Sequence, residues 1–371
     1  MVDILLTGVA LCIFALFHHV LPREQESVGI VIPNPYGYID TYIDTTDEEG
    51  PVTETAVASL RNAELIAAGS RDVISDTGAN LLARGRQSQK VPSSKGGSAL
   101  TQEDVTEDDD GEAAETVPMS EKFAEKYTDT VVETENSYTS SGVAVTVSEE
   151  TLDGGRITYY VADIYLKNVT SFQTALARNR YGSGFRAEIS DMASMMNALV
   201  AVNGDYYGNT NEGVVIRNGV IYRANPTNCD VCVLYYDGTM KVMPGSSFTV
   251  EDAIADGAWQ AWTFGPALLD GEGHAISSFS STNRIISANP RTAIGYYEPG
   301  HYCLVVVDGR GDSAGISLPE LSALFEEMGC QAAYNLDGGN SSVMVWNDEV
   351  INDPSGGGRA SSDAVLIAEV E

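Results

Sequence analysis

The stretch AAYNLDGGNSSVMVW, residues 332–346, decides how this chain is read. An apolar run climbs to Asn335, Leu336 and Asp337, and breaks at Gly338-Gly339. It passes Asn340, Ser341 and Ser342 and then turns apolar again. A simple turn needs one residue that tolerates positive φ and one short polar side chain. This segment carries a carboxamide, a carboxylate, two glycines and three further polar residues. Glycine lets another group approach the backbone closely. The surplus predicts a strand tip that forms one wall of a cleft.

Reading outward, the flanking sequence has the same texture from about Ser137 onward. GVAVTVSEE and RITYYVADIYLK alternate in the strand manner around EETLDGG. RAEISDMASMMNA has helical spacing and runs into LVAVNGDYY. GVVIRNGVIYR predicts a hairpin turning on Asn218-Gly219, and DVCVLYYDGTMKVM a second on Asp237-Gly238. WTFGPALL, RTAIGYY, HYCLVVVDGR and DAVLIAEV supply further strands. SLPELSALFEEMG predicts a helix with Ser317 as N-cap, Glu320 three residues on and Gly329 as the stop. The expected class is α+β: mostly β-sheet with a few packed helices, in a single domain over residues 128–371.

What precedes that domain differs in kind. Residues 4–22, ILLTGVALCIFALFHHVLP, hold no formal charge and are close to the length that spans a bilayer. With no positive start and no small-residue cleavage site, residues 1–22 are expected to be an uncleaved membrane anchor rather than a removed signal. Residues 23–127 lack sustained periodicity and pack eight acidic residues between Glu103 and Glu115. Such a run repels itself and stays solvated, so the segment is expected to be a flexible stalk. The net charge of -32 argues against a nucleic-acid partner, which needs an electropositive face. Five cysteines are too few for a disulfide scaffold.

Polar residues gather beside glycine at the ends of apolar strands in four places. They are Asn203-Gly204-Asp205-Tyr206-Tyr207, Pro290-Arg291-Thr292-Ala293, Asp308-Gly309-Arg310 and the 335–342 segment. Carboxylates in such turns do proton or nucleophilic work, and arginine offers a planar fork to phosphate. Taken alone, a single Asp-Gly reads more simply as a turn and Arg291 as a surface cation; Asp308-Gly309-Arg310 is balanced between turn and site, and Asp237-Gly238 is left as a turn. Gly311–Gly315, GDSAG, looks like a serine-protease nucleophile segment, yet neither His274 nor His301 sits in a triad context. Cys229 and Cys232 form a single C-x-x-C without the second pair that structural zinc needs. Cys232 and Cys303 read as buried thiols within strands. Sequons occur at Asn168 and Asn340.

AVNGDYY, RTAIGY, VVDGR and NLDGGNSS, in that order, resemble the phosphodiester glycosidase family over about residues 138–370. The family includes an animal enzyme that removes N-acetylglucosamine from mannose-6-phosphate diesters, and bacterial members linked to exopolysaccharide. The resemblance implies hydrolysis of a sugar-1-phosphodiester to free sugar and phosphomonoester. It implies carboxylate roles for Asp205 and Asp337. Arg291 and Arg310 would bind phosphate; Asn203, Asp308, Asn335 and Ser341 would orient substrate; Gly338 and Gly339 would give backbone access. The anchor and acidic stalk resemble bacterial membrane-attached members, implying an extracellular domain on a single-pass anchor. No cofactor is required. Two other readings stay open: a non-catalytic carbohydrate-binding or envelope-scaffold module using Tyr206, Tyr207, Tyr222, Tyr235 and Tyr236, and Ca²⁺ held by Asp205, Asp308 and Asp337.

Overall fold

A computed structural model describes residues 22–35 and 118–370. The expected anchor, apart from Pro22, lies outside the described residues, as do the acidic run and the possible helix TAVASLRNAELIAAG. Among the described residues no helix is long and apolar enough to cross a membrane.

Three large sheets carry the fold. The first contains β3 (Val132–Glu133), β4 (Ser137–Thr139), β5 (Val143–Leu152), β6 (Ile157–Leu166), β15 (Arg291–Glu298), β16 (His301–Val307) and β17 (Ala332–Asn335). Its order is β17-β15-β16-β6-β5-β4-β3. The second contains β2 (Ile30–Val31), β10 (Val214–Arg217), β11 (Val220–Ala224), β12 (Asp230–Tyr235), β13 (Met240–Pro244) and β14 (Ala258–Thr263), ordered β13-β12-β14-β10-β11-β2. The third contains β7 (Phe172–Leu176), β9 (Ala198–Asn203), β18 (Met344–Trp346), β19 (Glu349–Val350) and β20 (Asp363–Ala368), ordered β19-β18-β9-β20-β7. A two-stranded ribbon joins β1 (Arg23–Glu24) to β8 (Gly182–Ser183). Every pairing is antiparallel, which short hairpins permit.

One apolar core is shared by all three large sheets. It takes Ile164, Leu304 and Val306 from the first, Leu234 and Trp262 from the second, and Val202, Met344 and Val365 from the third. The other face of each sheet is backed by one helix. Helix α1 (Ile189–Met195) covers the third sheet, α2 (Val250–Ala255) the second, and α4 (Leu318–Glu327) the first. A short α3 (Asn283–Ile286) lies against the chain entering β15. Strand β16 is therefore apolar on both faces: Leu304 and Val306 face the shared core while Cys303, Val305 and Val307 face α4. That is why HYCLVVV reads as a continuous apolar run.

Local signals in the sequence are realised where local chemistry sets them. Ser317 and Glu320 close the expected capping box, each side chain accepting from the other residue's amide. Ser317→Ala is expected to cost about 1 kcal/mol in urea denaturation. Asn218 and Gly219 both take positive φ, as a type I′ hairpin requires. The Asp237 turn differs: positive φ falls on Gly238, and Asp237 Oδ1 accepts the Thr239 amide in an Asx turn. WTFGPALL is strand only as far as Thr263.

The stalk boundaries need correction at both ends. Strand β1 pairs with β8, β2 extends the second sheet, and Ile32 is fully buried against it. After the gap, Phe123 packs edge-on against Tyr165 and His301. Short apolar stretches such as VGIVIP carry no periodicity of their own; the open edge of β11 supplies their partner. Residues 23–35 and 118–127 thus belong to the folded unit.

Candidate active site

The four glycine-bordered tips meet at one end of the first and third sheets. Register places Arg291 opposite Val307, and Asn335 opposite Ala293, at the same sheet end. Asn203, the last residue of β9, ties the sheets together. Its Nδ2 donates to the Asp337 carbonyl at 2.7 Å, and its Oδ1 accepts from Thr292 Oγ1 at 2.7 Å. The Asp337 amide donates in turn to the Gly204 carbonyl. Gly339 donates its amide to the Pro290 carbonyl at 2.9 Å. Gly338 has no room for a side chain, since a Cβ there would lie 2.8 Å from Pro290 O. The two glycines let the 337–342 turn lie directly on the 290–291 backbone.

Asp337 is the carboxylate held at the rim of this assembly. It is 8% exposed, and its Oδ2 accepts from Ser341 Oγ at 2.7 Å and from an Arg359 Nη at 2.6 Å. Burial raises its pKa above the ordinary carboxylate value, while Ser341 and Arg359 pull it back down. Arg359 stays about half exposed, bonds Ser341 Oγ as well, and lies over the Tyr206 ring. A guanidinium that is half in water and half on a carboxylate is free to share its remaining donors with an anionic ligand.

A second guanidinium reaches the same turn. Arg310, at φ 66°, donates to Asn340 Oδ1 at 2.9 Å and to Asn289 Oδ1 at 2.8 Å. Both acceptors are neutral, so its charge is not cancelled. Arg291 is buried and bonds only carbonyls, those of Ile316, Ile285 and Ser287. Burial first, then Arg310, lowers its pKa to about 10. Arg291 thus fastens the α3 loop while Arg310 faces outward. Two acceptors at the tips, Asn335 Oδ1 and Ser342 Oγ, are buried without a protein partner.

Asp205 is placed differently from Asp337. It is 1% exposed and its Oδ1 meets Arg217 at 2.9 Å and the Tyr207 amide at 3.1 Å. Its Oδ2 accepts the Thr263 amide at 2.9 Å. Arg217 also binds Asp363 through Nε and Nη2 to one oxygen, so a single cation sits between two buried carboxylates. Burial and the neighbouring Asp205 push the Asp363 pKa up, with Arg217 opposing. Gly204 is required here, because a Cβ would fall 2.2 Å from Asp363 Oδ1. The triad fixes the Gly204–Tyr206 loop from behind.

Asp308 is likewise engaged, accepting from Asn352 Nδ2 at 2.8 Å and the Asp353 amide at 3.0 Å, with burial raising its pKa. Among the described residues, no three metal-ligating side chains are grouped to hold an ion. Ser313 of GDSAG is buried and donates to the Asp308 carbonyl, which makes it a brace for that turn. Cys229 is exposed and Cys232 buried, as residues three apart in and beside a strand fall on different sides. Of the five tyrosines weighed as a sugar platform, Tyr206 is exposed; Tyr207 and Tyr235 are buried, and Tyr222 and Tyr236 are half-buried.

Arg359, Arg217 and Asp363 were not singled out from the sequence. Arg359 follows Gly356-Gly357-Gly358, but no apolar strand leads into that loop, so the strand-tip pattern shares only its glycines. Arg217 stands inside the apolar strand VVIR, where a charge implies a buried partner.

A family model described as phosphodiester glycosidase matches residues 196–368, a narrower span than the sequence resemblance, and one that holds all four tips and Arg359. The SPbeta prophage-derived uncharacterized protein YomE of Bacillus subtilis (strain 168) is 31% identical over 196 residues, covering 51% of this chain and 30% of that protein. The N-acetylglucosamine-1-phosphodiester alpha-N-acetylglucosaminidase of Homo sapiens is 37% identical over 84 residues, covering 23% of this chain and 16% of the enzyme. This chain therefore spans less than a third of the length of either relative. The solved catalytic domain of the zebrafish enzyme, auto-inhibited by its pro-peptide, shares the fold. Its TM-score is 0.50 at 21% identity, over 62% of this chain and 83% of that one. Residues 196–368 thus resemble the phosphodiester glycosidase family, and the fold is that of the zebrafish catalytic domain.

Proposed function

We propose that the domain hydrolyses a sugar-1-phosphodiester, of the N-acetylglucosamine-1-phosphate kind, to free sugar and phosphomonoester. The observation that carries this reading is the pair of guanidinium groups, Arg359 and Arg310, converging from separate loops on the turn that holds Asp337. The diester phosphate takes the donors of Arg310 and the spare donors of Arg359. The C1–O bond breaks toward the phosphate, which departs as a stable anion without strong acid assistance. Asp337, ionised, then meets the positive charge that develops at C1, by electrostatic stabilisation or by attack. Water adds the hydroxyl at C1 and its proton leaves to solvent.

In this reading Asp205 and Asn203 are positioning residues. Asp205 has both oxygens committed to Arg217 and two backbone amides, so it holds Tyr206 and the Gly204 carbonyl in place. Arg291 likewise shapes the loop before β15 rather than touching phosphate. A nitrophenyl or nucleotide-linked N-acetylglucosamine-1-phosphodiester is the test substrate. Release of free sugar by the wild-type protein is expected, and Arg310→Ala should lower kcat/KM about 10²-fold. Binding of the diester without any product would favour a carbohydrate-binding module instead.

Acid inactivation follows from the state of Asp337. It works ionised, so activity is lost as pH falls through its raised pKa. Arg359 lowers that pKa; Arg359→Ala should therefore move the acid limb of the kcat/KM profile to higher pH. An unmoved limb would separate Arg359 from Asp337 in the reaction.

A further inference from the structure

The first sheet holds a feature that the reaction does not use. Gly295 stands in the middle of β15, paired with Cys303 on β16 and Ala333 on β17. Glycine within a central strand weakens it, and usually marks a close approach by another group. Two sulfurs make that approach, together with the Phe325 ring, whose Cε1 would lie 2.7 Å from a Cβ there. A Cβ at Gly295 would lie 2.5 Å from Cys303 Sγ and 2.9 Å from Cys330 Sγ. The sulfurs are 4.0 Å apart, both are buried, and the Tyr297 side chain lies beside the pair. Cys330 follows α4, 27 positions beyond Cys303, and leads directly into β17.

We propose that Cys303 and Cys330 are a disulfide site, joined when the chain folds in the presence of a small-molecule disulfide, with Gly295 providing the space for the bridge. The sulfurs must close by about 2 Å to reach bonding distance, within the reach of side-chain rotation. One thiolate attacks a sulfur of the oxidant and expels one small thiol. The second cysteine, as thiolate, attacks the mixed disulfide and expels the other. Two protein thiols give up two protons and two electrons; the oxidant's S–S bond takes up both electrons and is released as two thiols. Burial pushes the Cys303 thiol well above its usual pKa, so the exchange belongs to folding, before the pair is enclosed. The bridge closes a loop that contains Asp308, Arg310 and α4, and anchors the start of the strand that ends beside Asp337.

The test is refolding of the full chain in oxidised and reduced glutathione, then alkylation under denaturing conditions and peptide mass mapping. The expected result is a linked pair of peptides bearing Cys303 and Cys330, lighter by two hydrogens than the separate thiol peptides. Cys229 and Cys232 should carry the alkyl group. Oxidised protein should melt roughly 5–10 °C above the same protein reduced with dithiothreitol. Cys330→Ala should lose both the link and the redox dependence of melting. Because a variant can fail to fold, the wild-type protein is also measured before and after reduction. Alkylation of both Cys303 and Cys330 at every glutathione ratio, or linkage of Cys303 to Cys229 or Cys232, overturns the proposal.

Discussion

Asp337→Asn should lower kcat/KM for a sugar-1-phosphodiester by on the order of 10³-fold, with the domain still folded. Asparagine keeps the size and the hydrogen-bonding oxygen for Ser341 and Arg359, so the turn at 337–342 stays in place. What it removes is the negative charge that the proposed reaction sets against C1. The loss should therefore fall on kcat, with KM little changed, because the phosphate donors on Arg310 and Arg359 remain. Steady-state kinetics with a chromogenic diester, alongside circular dichroism, separates this from unfolding. A folded Asp337→Asn protein with wild-type kcat would falsify the role given to this carboxylate.

Arg217→Ala has the largest expected effect on stability. Arg217, Asp205 and Asp363 are each no more than 1% exposed, and among the described residues the arginine is the cation that pairs with both carboxylates. Removing one partner from a buried ion pair costs about 3–5 kcal/mol, because the charge left behind has neither water nor a counter-ion. The sign of its pH dependence follows from Asp363. Burial raises the folded-state pKa of Asp363 above its unfolded value, and Arg217 is what opposes that rise. A raised carboxylate pKa means that the folded state holds the proton more tightly. Stability therefore falls as pH climbs from the unfolded pKa toward the folded one. Without Arg217 this window widens upward, so the deficit should be smallest in acid and greatest near neutral pH. Urea midpoints across pH measure it, and a pH-independent deficit would show that lost packing, rather than stranded charge, dominates.

The two variants probe different layers of one construction. Asp337, 8% exposed, is bonded by the half-exposed Arg359, and in the proposed reading it meets the substrate. Asp205, in a motif of similar appearance, sits a layer deeper and supports the loop. Nothing in NGDYY or NLDGG separates these roles, because each is a strand tip with a carboxylate beside glycine. The difference lies in Arg217, fourteen strand and loop positions from Asn203, which reaches Asp205 across the joint between sheets. Arg359 was hidden for a related reason. Its loop, DPSGGGRAS, has no apolar strand leading into it and reads as a linker until it is seen folded against Ser341.

Residues within a few positions of one another settled a good deal from the sequence alone. The capping box at Ser317 and Glu320, the Asn218-Gly219 hairpin, the alternating strands β5 and β6 and the predominance of β-sheet are all fixed by interactions the local chain can satisfy by itself. The motif order was sufficient to show the resemblance that the family model finds over residues 196–368. Tertiary structure decided which carboxylate is locked in a buried ion-paired triad, which arginine is cancelled and which is not, and that residues 23–35 join the sheets. Those outcomes depend on burial and on partners distant in sequence, and the free energy of a charge is set by what surrounds it, not by its neighbours along the chain.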